Sequence, residues 1–157
     1  MADFPGKGAV AVVKTTPQTV LDDIQQVMLR AGLQGALPRG ITTGLKINIS
    51  WQTWYPACST APWQLEGAIL ALRQAGYDNL VGVHNDTVVV DTRIGEFNNK
   101  HRFVTDKYGV PCLYLYEEKF DWAEYRPKRP FLVLDKVYPK GVFIPKAIVG
   151  LNMVHLP

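Results

Sequence analysis

The stretch that decides the fold is LKINISWQTWYPACSTAPWQLEGAILALRQAGYDNLVGVH, residues 45–84. Leu45 to Ser50 alternates apolar and polar side chains, the period of a strand. Pro62 then stands near the start of a helical pattern in which Leu65, Ala68, Ile69, Leu72 and Ala75 share one face, with Gly76 as the stop. Asn79 to His84 is short and apolar again, which reads as a second strand. Strand, helix and strand in such close succession predict parallel strands joined by a right-handed crossover helix.

Working outward, Gly8 to Thr15 (GAVAVVKT) reads as a further strand buried on both faces. Thr16 and Pro17 suit a helix start, and Val20, Ile24, Val27, Met28 and Ala31 follow at helical spacing up to Gly32. Beyond His84, residues 86–109 suggest a short strand and then a helix reaching Tyr108, and VPCLYLY (Val110 to Tyr116) reads as another strand. Two apolar runs flank Pro139 to Gly141 in FLVLDKVYPKGVFIPKAIV, as in a β-hairpin. LNMVHLP closes the chain as a last strand. The expected fold is α/β: a mainly parallel sheet with βαβαβ units, helices packed on its faces, and an antiparallel hairpin toward the C-terminus. Residues 1–157 form a single domain, and the apolar ending reads as the N-terminal part of a longer protein.

Composition narrows the function classes. No apolar run approaches the roughly 20 residues of a membrane helix, and MADFPGKG lacks the basic and apolar segments of a signal peptide. A cytoplasmic location without membrane attachment is the expectation. A net charge of +3 is too small for a nucleic-acid footprint, and the one basic cluster, RPKRP at Arg126 to Pro130, is interrupted by prolines. Cys58 and Cys112 are the only cysteines, so no self-contained four-cysteine iron–sulfur or zinc site is encoded; two free thiols are expected.

Ligands of open parallel sheets bind beyond the carboxyl ends of the strands. Residues 50–62, His84 to Asp86 and the terminal His155-Leu156-Pro157 lie there on the expected fold. Ser59 and Thr60 either cap the helix that follows or donate hydroxyls to an anion at its start. Trp51, Trp54, Tyr55 and Trp63 either wall a pocket, Trp63 then touching ligand, or fold down as a small core of their own. Lys46 and Asn48 share a strand face, turned either to a ligand or to solvent with Ile47 and Ile49 inward. His84 with Asp86 and Asp91 offers an acid–base pair or a metal site, or plain strand-end hydrogen bonding. His101, between Lys100 and Arg102, reads as solvated, and no metal ligand set is assigned.

The order of KINISW, STAPWQLEGAILALRQAGYDNLVGV and GVFIPKAIVGLNMVHLP resembles the family called domain of unknown function 362. Lys46 and Asn48 match its Lys-x-Asn strand. Ser59, Thr60 and Pro62 match its Thr-Thr-x-Pro loop, with serine for the first threonine, and Leu156-Pro157 match a Leu-Pro that precedes a Lys-Thr-His in the family. The resemblance covers Val10 to Pro157 and implies an iron–sulfur-associated, redox-linked protein. Its cluster would belong to a C-terminal half or a redox partner, and this chain would hold a small anionic or polar ligand. The alternative expectation is a non-catalytic binding or assembly domain that uses residues 51–63 as an interface.

Overall fold

A computed structural model describes residues 8–55, 57–129 and 132–157. Residues 1–7 of the N-terminal stretch that lacks signal-peptide features lie outside the described residues, as do Pro130 and Phe131 of the basic cluster and the apolar run. Among the described residues no helix is long and apolar enough to cross a membrane.

The decisive stretch folds as its pattern predicts. β1 (Thr43–Ile47) leads through α3 (Pro62–Gln74) to β2 (Leu80–His84). Those strands pair in parallel, Lys46 opposite Val83. Preceding them are α1 (Val20–Arg30) and the single turn α2 (Leu33–Ala36). β2 continues through α4 (Thr92–Asn98) and α5 (His101–Lys107) to β3 (Cys112–Tyr114), again parallel. β6 (Asn152–Leu156) comes last and pairs in parallel with the other edge of β1. The sheet order is β3-β2-β1-β6, so the fold is α/β with a four-stranded parallel sheet. β4 (Trp122–Tyr125) and β5 (Val142–Pro145) form a separate antiparallel pair.

The strand period separates two faces. Leu45, Ile47 and Leu80 join Leu65, Ile69 and Leu72 of α3 and Val104 of α5 in the main core. α1 lies across α3 at Gly67, where a Cβ would come within 2.7 Å of Ile24 Cβ. Val81 and Val83 point the other way and pack with Leu113, Leu115, Ile148 and Leu151. That second cluster draws on strands, the segment after β3 and the turn before β6, so the helices of the main core cover one face of the sheet.

Four local expectations give way. Residues 8–15 form no strand, and Val10 and Val12 are 85% and 80% exposed. The valine-rich run joins neither outer edge of the sheet, on β3 or on β6, and its Val10 and Val12 side chains stay in solvent. The expected helix to Tyr108 is two helices, broken where Lys100 takes a left-handed conformation (φ 67°). Leu134–Val137 closes a helical turn (α6) instead of pairing, with the Tyr138 N–H donating to the Leu134 carbonyl; the partner of β5 is β4. His101 is fully buried rather than solvated.

Candidate functional site

β1 and β2 end side by side, and a cavity of about 100 Å3 opens at their carboxyl ends. Lys46, Asn48 and His84 line it together with Asn85 and Thr92. Ile47 is buried in the main core, so Lys46 sits on the opposite side of β1, in register with His155 of β6. Among the described residues Lys46 has no ion-pair or hydrogen-bond partner. The Asn48 side-chain amide donates to Ser50 Oγ (2.8 Å), which leaves its carbonyl free to accept.

The other sequence candidates are placed elsewhere. Thr60 is buried and its hydroxyl is spent: it accepts from the Asn48 N–H (2.9 Å) and donates to the Leu156 carbonyl (2.8 Å). It therefore ties the ends of β1 and β6 together. Ser59 Oγ accepts from the Ser50 N–H (3.2 Å). Asp86 lines a separate open groove with Gln52, Arg93 and Tyr116. Trp63 is half-exposed and lines an apolar groove against Thr16, Pro17 and Val20.

The aromatic loop combines a fastened backbone with exposed rings. Asn99 and Asn98 donate their amides to the carbonyls of Trp51 (2.8 Å) and Gln52 (2.9 Å), and Gln52 Oε1 accepts from the Asp91 N–H (2.9 Å). Trp51, Trp54 and Tyr55 nonetheless remain 48%, 43% and 67% exposed. The loop is not a small core of its own.

His84 also belongs to a polar cluster in which His84, Glu96 and His101 are buried and Cys112 and Tyr114 are partly buried. His84, Gly82, Cys112 and Tyr114 share the face of the sheet that carries Leu45 and Ile47, because Gly82 pairs with Cys112 and His84 with Tyr114. Glu96 of α4 and His101 of α5 come down onto them. Tyr114 donates its hydroxyl to Glu96 Oε2 (2.6 Å), while Glu96 Oε1 stops 3.8 Å from His84 Nε2. That nitrogen is buried and unpartnered. His101 Nε2 lies 2.6 Å from the Thr60 carbonyl, which can only accept, so Nε2 carries the proton and Nδ1, also buried, is left without a partner.

Burial sets the charge states here. It pushes the His84 imidazole down to about 4, with Glu96 opposing and the charges of His101 and Lys46 assisting. His101 is lowered by the same cause, against its bond to Thr60 and the Glu96 charge. The Cys112 thiol rises to about 12, through burial first and Glu96 second. Tyr114 is raised by burial and by its bond to Glu96. Both histidines are neutral and the thiol protonated at neutral pH.

The carboxylate that meets His84 is Glu96, not Asp86. Cys112 and Tyr114, two apart in a strand, were readable as sharing a face. Nothing in the pattern pointed Glu96 inward, because a lone carboxylate in a short helix reads as solvated until Tyr114 of the neighbouring strand is seen to donate to it. Comparison with protein-family models, curated proteins and solved structures gave no match.

Proposed function

We propose that this chain binds a small anionic or polar molecule at the carboxyl ends of β1 and β2. The observation that carries the reading is the cavity itself, which Lys46, Asn48 and His84 line together, Lys46 having no ion-pair or hydrogen-bond partner among the described residues. A cation in a recess without a counter-ion favours an anion that supplies one. At about 100 Å3 the cavity is well below the roughly 300–1,000 Å3 of drug-sized and cofactor pockets. The ligand class is accordingly an inorganic anion or a small carboxylate. The resemblance to domain of unknown function 362 adds an iron–sulfur-associated, redox-linked role to this proposal, with the cluster carried by a partner or another segment, since Cys58 and Cys112 are the chain's only cysteines.

The test is a titration with inorganic phosphate, followed by amide chemical shifts. Saturable changes at Lys46, Asn48 and Asn85 are expected, with affinity falling at least about tenfold in Lys46→Met, the loss of one charge-assisted contact. Shifts that persist unchanged in Lys46→Met would sink the reading.

A second reading rests on Trp51, Trp54 and Tyr55, whose exposed rings do not line this cavity. On it the chain is a non-catalytic assembly domain that meets another chain through residues 51–63. Tryptophan fluorescence that shifts with protein concentration, and not with phosphate, would favour it.

A further inference from the structure

We infer that His84, Glu96 and Cys112 form a binding site for a divalent transition metal, zinc or cobalt in class, between the sheet and α4. His84 Nε2, a Glu96 oxygen and Cys112 Sγ all lie within 4.8 Å of one another. The inference does not rest on the anion cavity, with which it shares His84 alone.

Three observations carry it. His84 Nε2 is a buried nitrogen without a partner, aimed at the carboxylate. Its 3.8 Å separation from Glu96 Oε1 is too long for a hydrogen bond. Two donors on one ion, each bonded at about 2.0–2.3 Å, stand about 3–4 Å apart, so the gap suits a shared metal. The cluster's outer limit of 4.8 Å asks the remaining donors to close by about 1 Å.

The carboxylate is also oriented in advance, because the Tyr114 hydroxyl holds Glu96 Oε2 at 2.6 Å and leaves Oε1 toward the histidine. A route to solvent exists in a cavity of about 130 Å3 lined by Glu96 and Cys112, with Asp106 and Arg102 among the residues at its sides.

One nitrogen, one oxygen and one sulfur donor select against magnesium and calcium, which take oxygen ligands. Three protein ligands leave room for water or substrate on a four-coordinate ion. Binding releases the Cys112 thiol proton to solvent and needs no oxidant or reductant.

The experiment titrates the chelator-treated full chain with cobalt(II) alone under a non-thiol reductant. One equivalent should raise a thiolate-to-cobalt charge-transfer band together with visible ligand-field bands, and zinc should displace both. Cys58→Ser should keep the band and Cys112→Ser should lose it. Circular dichroism confirms folding of each variant. Tyr114→Phe, which keeps all three donors and removes only the orienting hydroxyl, should weaken cobalt binding by about 10–100-fold. Absence of the band in the folded wild-type chain at saturating cobalt, or its persistence in Cys112→Ser, overturns the inference. Cobalt binding that Tyr114→Phe leaves unchanged overturns the orienting role.

Discussion

One face of the sheet is built in two ways. Under α3 it is apolar, where Leu45 and Ile47 meet Leu65, Ile69 and Leu72. Under α4 and α5 it is polar, where His84 and Cys112 meet Glu96 and His101. His84, Glu96 and His101 are as closed to water as the leucines, yet the physical consequences are opposite. Burying leucine contributes about 1.5–3 kcal/mol per side chain. Burying an imidazole nitrogen that has no partner costs free energy. The apolar half drives folding; in the polar half the unpartnered nitrogens of His84 and His101 cost stability, which the proposed metal would offset at His84.

Substitutions can break that contrast. Leu72→Ala, in the apolar half, should lower stability by about 2–5 kcal/mol in urea denaturation and leave cobalt binding intact in the protein that remains folded. Gly82→Ala, at the boundary, places a Cβ 2.6 Å from Cys112 Sγ. It should cost about 1–3 kcal/mol and also weaken cobalt binding, because the thiol must move. If it costs stability without touching cobalt, the Cys112 assignment is wrong.

Thr60→Val removes a buried donor and acceptor that join β1 to β6. The expected loss is about 1–3 kcal/mol, with phosphate binding retained, since the hydroxyl's one proton is already given to the Leu156 carbonyl and none is left to donate to an anion. Loss of phosphate binding in a folded Thr60→Val protein would return Thr60 to the ligand set.

The smallest effect is at Glu66, which joins α3 to α5 by accepting from Lys107 Nζ (2.6 Å) and the Tyr108 hydroxyl (2.7 Å). Lys107 first and Tyr108 second hold its carboxyl below the ordinary 4.5. A carboxyl lowered in the folded state stabilises above its unfolded value, and that contribution is lost as pH falls through the folded value. Glu66→Gln should therefore cost under about 1 kcal/mol at neutral pH, and the difference from wild type should close at pH values below 4.5. A difference that stays constant with pH would assign the effect to packing instead.

The sequence made the wrong part conspicuous. The parallel βαβ unit was legible because α3 carries its apolar face in order and is bounded by Pro62 and Gly76. Lys46 and Asn48 were legible as a pair, although which way they faced depended on Ile47 entering the core. Residues 8–15 misled, because a valine run states a preference for strand but does not supply the tertiary pairing that realises it. The tryptophans of the loop drew attention that Asn98 and Asn99 deserved, since these amides hold the loop down while the rings stay outside. His101 looked solvated between two cations, and only the break at Lys100 turns it inward. Side chains brought together across α4, α5 and two strands leave no local period to read.

The most direct measurement is the thermal unfolding midpoint of the full chain with and without saturating zinc. A metal that binds only the folded state stabilises by about 2.7 kcal/mol at a hundred times its dissociation constant. The account predicts a raised midpoint in wild type and in Cys58→Ser and none in Cys112→Ser. An unmoved midpoint in wild type, or an equal rise in Cys112→Ser, would contradict it.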